Sequence, residues 1–122
     1  MRLQEIERDL EEYIRLQTEI RGLAVPRDVL KARVVPEMPN PRSKAGCLVC
    51  WSEEDEFIEA IILVAAETLD ENKEYIKRIL LHELAHAETN WLHGPHEEDS
   101  PIFESICKSI GGILREEAHL YK

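Results

Sequence analysis

The residues with the clearest chemistry in this chain are His82-Glu83-Leu84-Ala85-His86. On a helix, two histidines four apart lie about 40° apart around the axis and one turn apart along it. Both imidazoles can therefore reach one metal ion. Glu83 projects beside them, placed to take a proton from a water that the metal activates. Holding a metal does not need that carboxylate, whereas hydrolysis does. The H-E-x-x-H pattern is the helix signature of zinc peptidases. It predicts Zn2+ as cofactor, His82 and His86 as ligands, Glu83 as general base, and a protein or peptide as substrate.

A catalytic zinc takes three protein ligands and keeps one position open. Three residues compete for the third place. His93 lies seven residues after His86; on a continuing helix it would keep the right face but sit about 10 Å further along the axis. The longer spacing H-E-x-x-H-x-x-G-x-x-H would need Gly at 89 and His at 92. The chain has Thr89 and Leu92 there, which excludes that arrangement. His96 and Asp99 both follow Gly94-Pro95, where the chain can double back. Imidazole is the commoner ligand, which favours His96. Asp99 stands just before the start of the last helix, a rigid place from which to hold a metal.

The elements that must position these residues are legible in the spacing of apolar positions. Leu3, Ile6, Leu10, Ile14 and Ile20 recur at helical intervals between charged residues, so 2–21 reads as an amphipathic packing helix stopped by Gly22. Val29 to Val35, Ala45 to Trp51 and Phe57 to Ala65 read as strands. Pro36, Pro39, Asn40 and Pro41 lie in the first connection and Ser52 to Glu56 in the second. Asp70 or Asn72 can cap a helix that carries the motif through about Trp91 and ends at Gly94-Pro95. Ser100-Pro101 is a cap and first-turn pair for a last helix running to Gly111-Gly112. The tail from Ile113 to Lys122 reads as a further helical turn or a short strand. The order predicts an α+β fold, with a small three-stranded sheet packed against the active-site helix and flanked by N-terminal and C-terminal helices.

Composition narrows the function. The 122 residues, 43% of them hydrophobic, suit a single domain spanning 1–122. A net charge of −10 disfavours direct binding to nucleic acid and to anionic membranes. It also disfavours a small metal-dependent ribonuclease, a class that lacks a Glu between its histidines. The longest apolar run, Ala60 to Ala66, is seven residues, too short to span a membrane. The N-terminal MRLQEIERDLEEY lacks the apolar core of a signal peptide. Three cysteines, an odd number, do not suit a disulfide framework. The expected location is cytoplasmic. Cys47 and Cys50 form a C-x-x-C, but on a strand residues three apart face opposite sides, which is poor for chelation. Cys107 falls on the apolar face of the last helix and reads as core.

The stretch from Ala60 to Gly112 resembles the SprT-like metallopeptidases, relatives of the Spartan and Wss proteases. The resemblance rests on Ala60-Ile61-Ile62-Leu63-Val64, on Ile79-Leu80-Leu81-His82-Glu83-Leu84-Ala85-His86-Ala87, on Pro101-Ile102-Phe103 and on Ser109-Ile110-Gly111-Gly112. Ser43-Lys44-Ala45-Gly46 looks like that family's segment before its middle strand. In all it covers about two thirds of the chain, and the helix motif is its specific part. It implies a zincin-like minimal catalytic domain with peptidase activity. The family's third histidine stands four residues before the aromatic of the next helix, and that place here holds Asp99. The sequence shows neither the zinc ribbon nor the basic tail of the DNA-linked members, which argues against carrying over their DNA–protein crosslink repair role. The alternative reading is a proteolytically idle zinc-binding adaptor or sensor; the presence of Glu83 speaks against it.

Overall fold

The computed structural model describes residues 2–40, 42–97, 100–114 and 117. In chain order they form α1 (Leu3–Ile20), β1 (Leu30–Val35), β2 (Ala45–Trp51), β3 (Phe57–Ala65), α2 (Lys73–His93) and α3 (Pro101–Ile110), with short 3-10 turns before β1 and after β3. The architecture is α+β with a three-stranded sheet, as the pattern of apolar residues predicts; the sheet is mixed, which that pattern does not show.

β3 is the central strand, in the order β1-β3-β2. β1 pairs with it in parallel, Leu30 opposite Ala60 and Val34 opposite Val64, and β2 pairs antiparallel, Ala45 opposite Val64 and Trp51 opposite Phe57. Opposed residues share a face. Leu30, Ala32 and Val34 therefore line up with Ala60, Ile62 and Val64, and with Ala45, Cys47 and Val49. This face forms the core with α2. The alternation of buried Ala60, Ile62 and Val64 with half-buried Ile61 and Leu63 makes residues 57–65 a strand. Cys47 and Cys50 fall on opposite faces of β2, as their spacing requires.

α1 does more than pack its apolar side. Its polar residues close the free edge of β1. The Val34 N–H donates to Glu7 at 2.8 Å, the Ala32 N–H donates to Glu11 at 3.0 Å, and the Arg15 guanidinium donates to the Leu30 carbonyl at 3.0 and 3.3 Å. Four helical residues advance about 6.0 Å and two strand residues about 6.6 Å, so the two series stay in register. An edge strand closed in this way does not template pairing with another chain.

α2 is the central helix. The Asn72 side chain caps it, accepting from the N–H groups of Glu74 at 2.9 Å and Tyr75 at 3.3 Å, and Gly94 at φ 80° ends it. Its middle is buried from several sides, from Leu84 to Thr89 without interruption. At its C-terminal end Trp91 meets Phe57 edge-on, ring centroids 5.3 Å apart, and Phe57 meets Trp51 at 5.6 Å. α3 begins with Ser100 accepting from the Phe103 N–H at 3.3 Å and Pro101 in the first turn, and stops at Gly111 in the left-handed region, φ 83°. In the tail, the Glu117 N–H donates to the Leu114 carbonyl at 2.9 Å; the rest of the expected helical turn or short strand after Leu114 lies outside the described residues. Among the described residues no helix is long and apolar enough to cross a membrane.

Candidate metal centre

The middle of α2 brings one potential ligand atom each from His82, Glu83 and His86 within 4.8 Å of one another. His86 and Glu83 are buried and His82 is half-buried. Two imidazoles and a carboxylate at this separation are a donor set suited to zinc or another divalent first-row metal. The two histidine rings lie 5.0 Å apart at 73°, so neither stacks on the other.

Hydrogen bonding at the far nitrogen of each ring sets its tautomer. His82 Nδ1 lies 2.7 Å from the Ile113 carbonyl oxygen, which can only accept. Nδ1 therefore carries the proton, and Nε2 is the ligand atom. At His86 the tautomer depends on a second ring. His96 Nδ1 lies 3.4 Å from the Gly94 carbonyl and must donate to it, so a neutral His96 accepts at Nε2. His86 Nδ1, 2.9 Å from that nitrogen, then donates, and Nε2 is again the ligand atom. A backbone carbonyl at the distal nitrogen, as His82 has, is a usual support of a metal-binding histidine.

α3 closes the other side. The Phe103 ring stacks on His86 at 3.9 Å and 10° and meets His82 edge-on at 5.0 Å. His96 stacks on the same His86 ring at 5.1 Å. The Asn90 amide donates to the His86 carbonyl at 2.7 Å, which steadies the helix at this turn.

Glu83 and His86 open into a cleft of about 510 Å³ between α2 and the chain from Met38 to Cys47. The lining is mostly polar, with Asn40 and Ser43 on the loop side and Asn90 and His96 on the helix side. Cys47 sits on the cleft floor. Burial, and then the charge of Glu83, push its thiol well above its ordinary value, so it remains protonated.

The candidates for a third ligand are placed differently. His93 is the last residue of α2, exposed, and outside the group of three. His96 reaches the site, but its Nε2 is engaged with His86 Nδ1. Asp99 lies outside the described residues.

Three parts of the site carry little or no signal in the sequence. The Ile113 carbonyl carries no side-chain signature. The paired Gly111-Gly112 reads as a helix stop and as part of the family resemblance, although a second glycine after a cap also signals close backbone approach. Cys47 was set aside as half of a weak C-x-x-C, yet it is the cysteine that faces Glu83. Comparison with known proteins returns no match: no family model, no curated protein and no solved structure.

Proposed function

We propose that this protein is a zinc-dependent peptidase of the SprT-like kind, with a protein or peptide chain as substrate. The observation that carries this reading is the convergence of His82, Glu83 and His86 within 4.8 Å, with Glu83 and His86 open to one cleft. His82 and His86 would hold the metal through Nε2, and Asp99 would complete the set. A metal bound there supplies Lewis-acid polarisation of a carbonyl and lowers the pKa of water toward neutrality.

The chain's own residues do the rest. Glu83 takes a proton from the attacking water and passes it to the leaving amine. The Ile113 carbonyl and His96 keep both ligand rings in one tautomer. β2 is an edge strand of the sheet, and Ala45, Gly46 and Cys47 at its start line the cleft. An extended peptide lying there meets a strand with main-chain groups available for pairing, a recognition mode that tolerates many side chains. The polar cleft wall and the edge strand favour a peptide over a small apolar ligand.

The test is metal content. Purified protein should carry one equivalent of divalent metal, and His82→Ala should carry almost none. Full occupancy in that variant would remove the site.

A further inference from the structure

We propose that Arg78 is a positioning residue for His82: its guanidinium clamps the chain that follows α3 against α2, so that the Ile113 carbonyl is held on His82 Nδ1. This rests on His82 being a metal ligand, but the orientation of its ring can be measured without metal.

The geometry is as follows. After Gly111 the chain turns back across α2. The Ile113 N–H donates to the Arg78 carbonyl at 3.1 Å, and its own carbonyl lies 2.7 Å from His82 Nδ1. One residue of this strap thus contacts two positions of α2 one turn apart. The Arg78 side chain reaches over the same segment. Its Nε donates to the Gly111 carbonyl at 3.2 Å, one Nη donates to the Gly112 carbonyl at 3.3 Å, and that Nη meets both Glu117 oxygens at 2.9 Å. Glu117 also accepts from the Leu114 N–H at 3.3 Å. The arginine fork therefore engages Gly111, Gly112 and Glu117 together, which a point-charge ammonium could not do in one geometry.

Gly112 shows how close the strap lies. A Cβ there would stand 2.6 Å from the Cys107 sulfur and 2.9 Å from the His82 backbone nitrogen. Any side chain at 112 would lift the strap away from His82. Cys107, fully buried beneath it, lies 3.6 Å from the same Ile113 oxygen. The Ile113 side chain packs with Tyr75 and Ile79 in the small cluster that Ala45 joins from β2. The strap's polar contact with the His82 ring is the hydrogen bond from Nδ1 to the Ile113 carbonyl.

The consequence is specific. With the strap held, His82 is the Nδ1–H tautomer and presents Nε2. With the strap loosened, the ring can rotate or exchange tautomers, and the ligand atom is correctly placed only part of the time. Outer-sphere partners of metal-binding histidines change metal affinity by about 10–100-fold.

The experiment compares Arg78→Lys, Glu117→Gln and a distant control, Arg15→Lys, which alters the guanidinium clamp on Leu30. Nitrogen NMR of metal-free protein at about pH 8, where histidine is neutral, reads the His82 tautomer. Chelator competition reads zinc affinity. Wild type should show His82 as Nδ1–H. Arg78→Lys should mix the tautomers and weaken zinc binding by about tenfold or more, and Glu117→Gln should do so less. Arg15→Lys should leave both readings unchanged. An Nε2–H tautomer in wild type would overturn the inference, as would an unchanged His82 in Arg78→Lys or an equal effect from Arg15→Lys. A wild-type protein that binds no zinc while His82 tracks the Arg78 substitution would sink the metal-site reading and leave the clamp standing. If Arg78→Lys fails to fold, Glu117→Gln decides by the same two readings.

Discussion

Glu83 and Glu88 lie five residues apart on one helix and are buried to the same degree, 7% and 6% exposed. Their surroundings differ entirely. The Glu88 carboxylate accepts from the backbone N–H groups of Ala24 at 2.9 Å and Val25 at 2.8 Å, tying the chain after α1 to the centre of the fold. Glu83 faces the cleft, among His82, His86 and Cys47. Burial alone therefore says nothing about the role of a carboxylate. A structural acid has its oxygens committed to fixed main-chain donors, whereas an acid that must move protons needs access to a space that substrate and water can enter. The same comparison separates two kinds of loss, one in stability and one in chemistry.

The largest expected effect is on Glu83. Glu83→Gln should retain metal and melt within about 1–2 °C of wild type, and its peptide hydrolysis should fall by about 10²–10⁴-fold, the usual weight of a general base. Turnover of a quenched-fluorescence peptide by both proteins measures it. Wild-type rates in the variant would make Glu83 a bystander and favour an adaptor role. Loss of metal instead would make Glu83 a ligand.

Glu88 should behave in the opposite way. Glu88→Ala leaves the Ala24 and Val25 N–H groups without their acceptor inside the fold, at a cost of about 2–4 kcal/mol. The melting temperature should drop by roughly 10 °C, while activity per folded molecule stays within a few-fold below the transition. Denaturant titration and turnover at low temperature check the two halves. A variant that melts normally but is inactive would erase the distinction between the two acids.

The sequence shows one side of this comparison and hides the other. The grouping of His82, Glu83 and His86 is legible because residues three and four apart on a helix must meet on one side of it. The elements were legible for similar reasons: Asn72, Ser100-Pro101 and Gly94 mark helix ends by local chemistry, and the run from Phe57 to Ala65 behaves as β-branched content predicts. Glu88 was read only as part of a helix, because its partners, Ala24 and Val25, lie more than sixty positions away. The parallel pairing of β1 with β3 is hidden for the same reason. So is the Ile113 carbonyl, a main-chain group whose importance depends on where Gly112 lets it sit. Side chains chosen for chemistry leave a local signature; main-chain groups placed by topology do not.

A third carboxylate sharpens the comparison. Asp99, if it ligates the metal, is an acid of neither kind, committed to a cation. Asp99→Ala should weaken metal binding at least tenfold more than His96→Ala, because it removes a ligand, whereas His96→Ala removes only the partner of His86 Nδ1. Chelator competition on the two variants gives the order directly. The reverse order would make His96 the third ligand and would mean that its ring leaves His86 when metal binds.

The smallest effect belongs to Glu117, a partly exposed acid that works by charge. The Arg78 guanidinium beside it holds its carboxyl below the ordinary value of 4.5. A carboxyl whose folded-state value is lowered contributes stability that is complete above its unfolded value. That contribution disappears as the pH falls through the lowered one. With the Glu117 side chain 31% exposed, solvent screens the pair, and its worth is about 0.3–1 kcal/mol. Glu117→Gln should therefore be less stable than wild type by that small amount at pH 7. The gap should narrow below about pH 4.5 and close in stronger acid, where wild-type Glu117 is also neutral. Paired urea titrations of the two proteins across this range cancel the titration of every other carboxylate. A gap of the same size at pH 7 and pH 3 would show that Glu117 holds Arg78 by shape and hydrogen bonding alone, which would move it from the charge-dependent acids to the kind that Glu88 represents.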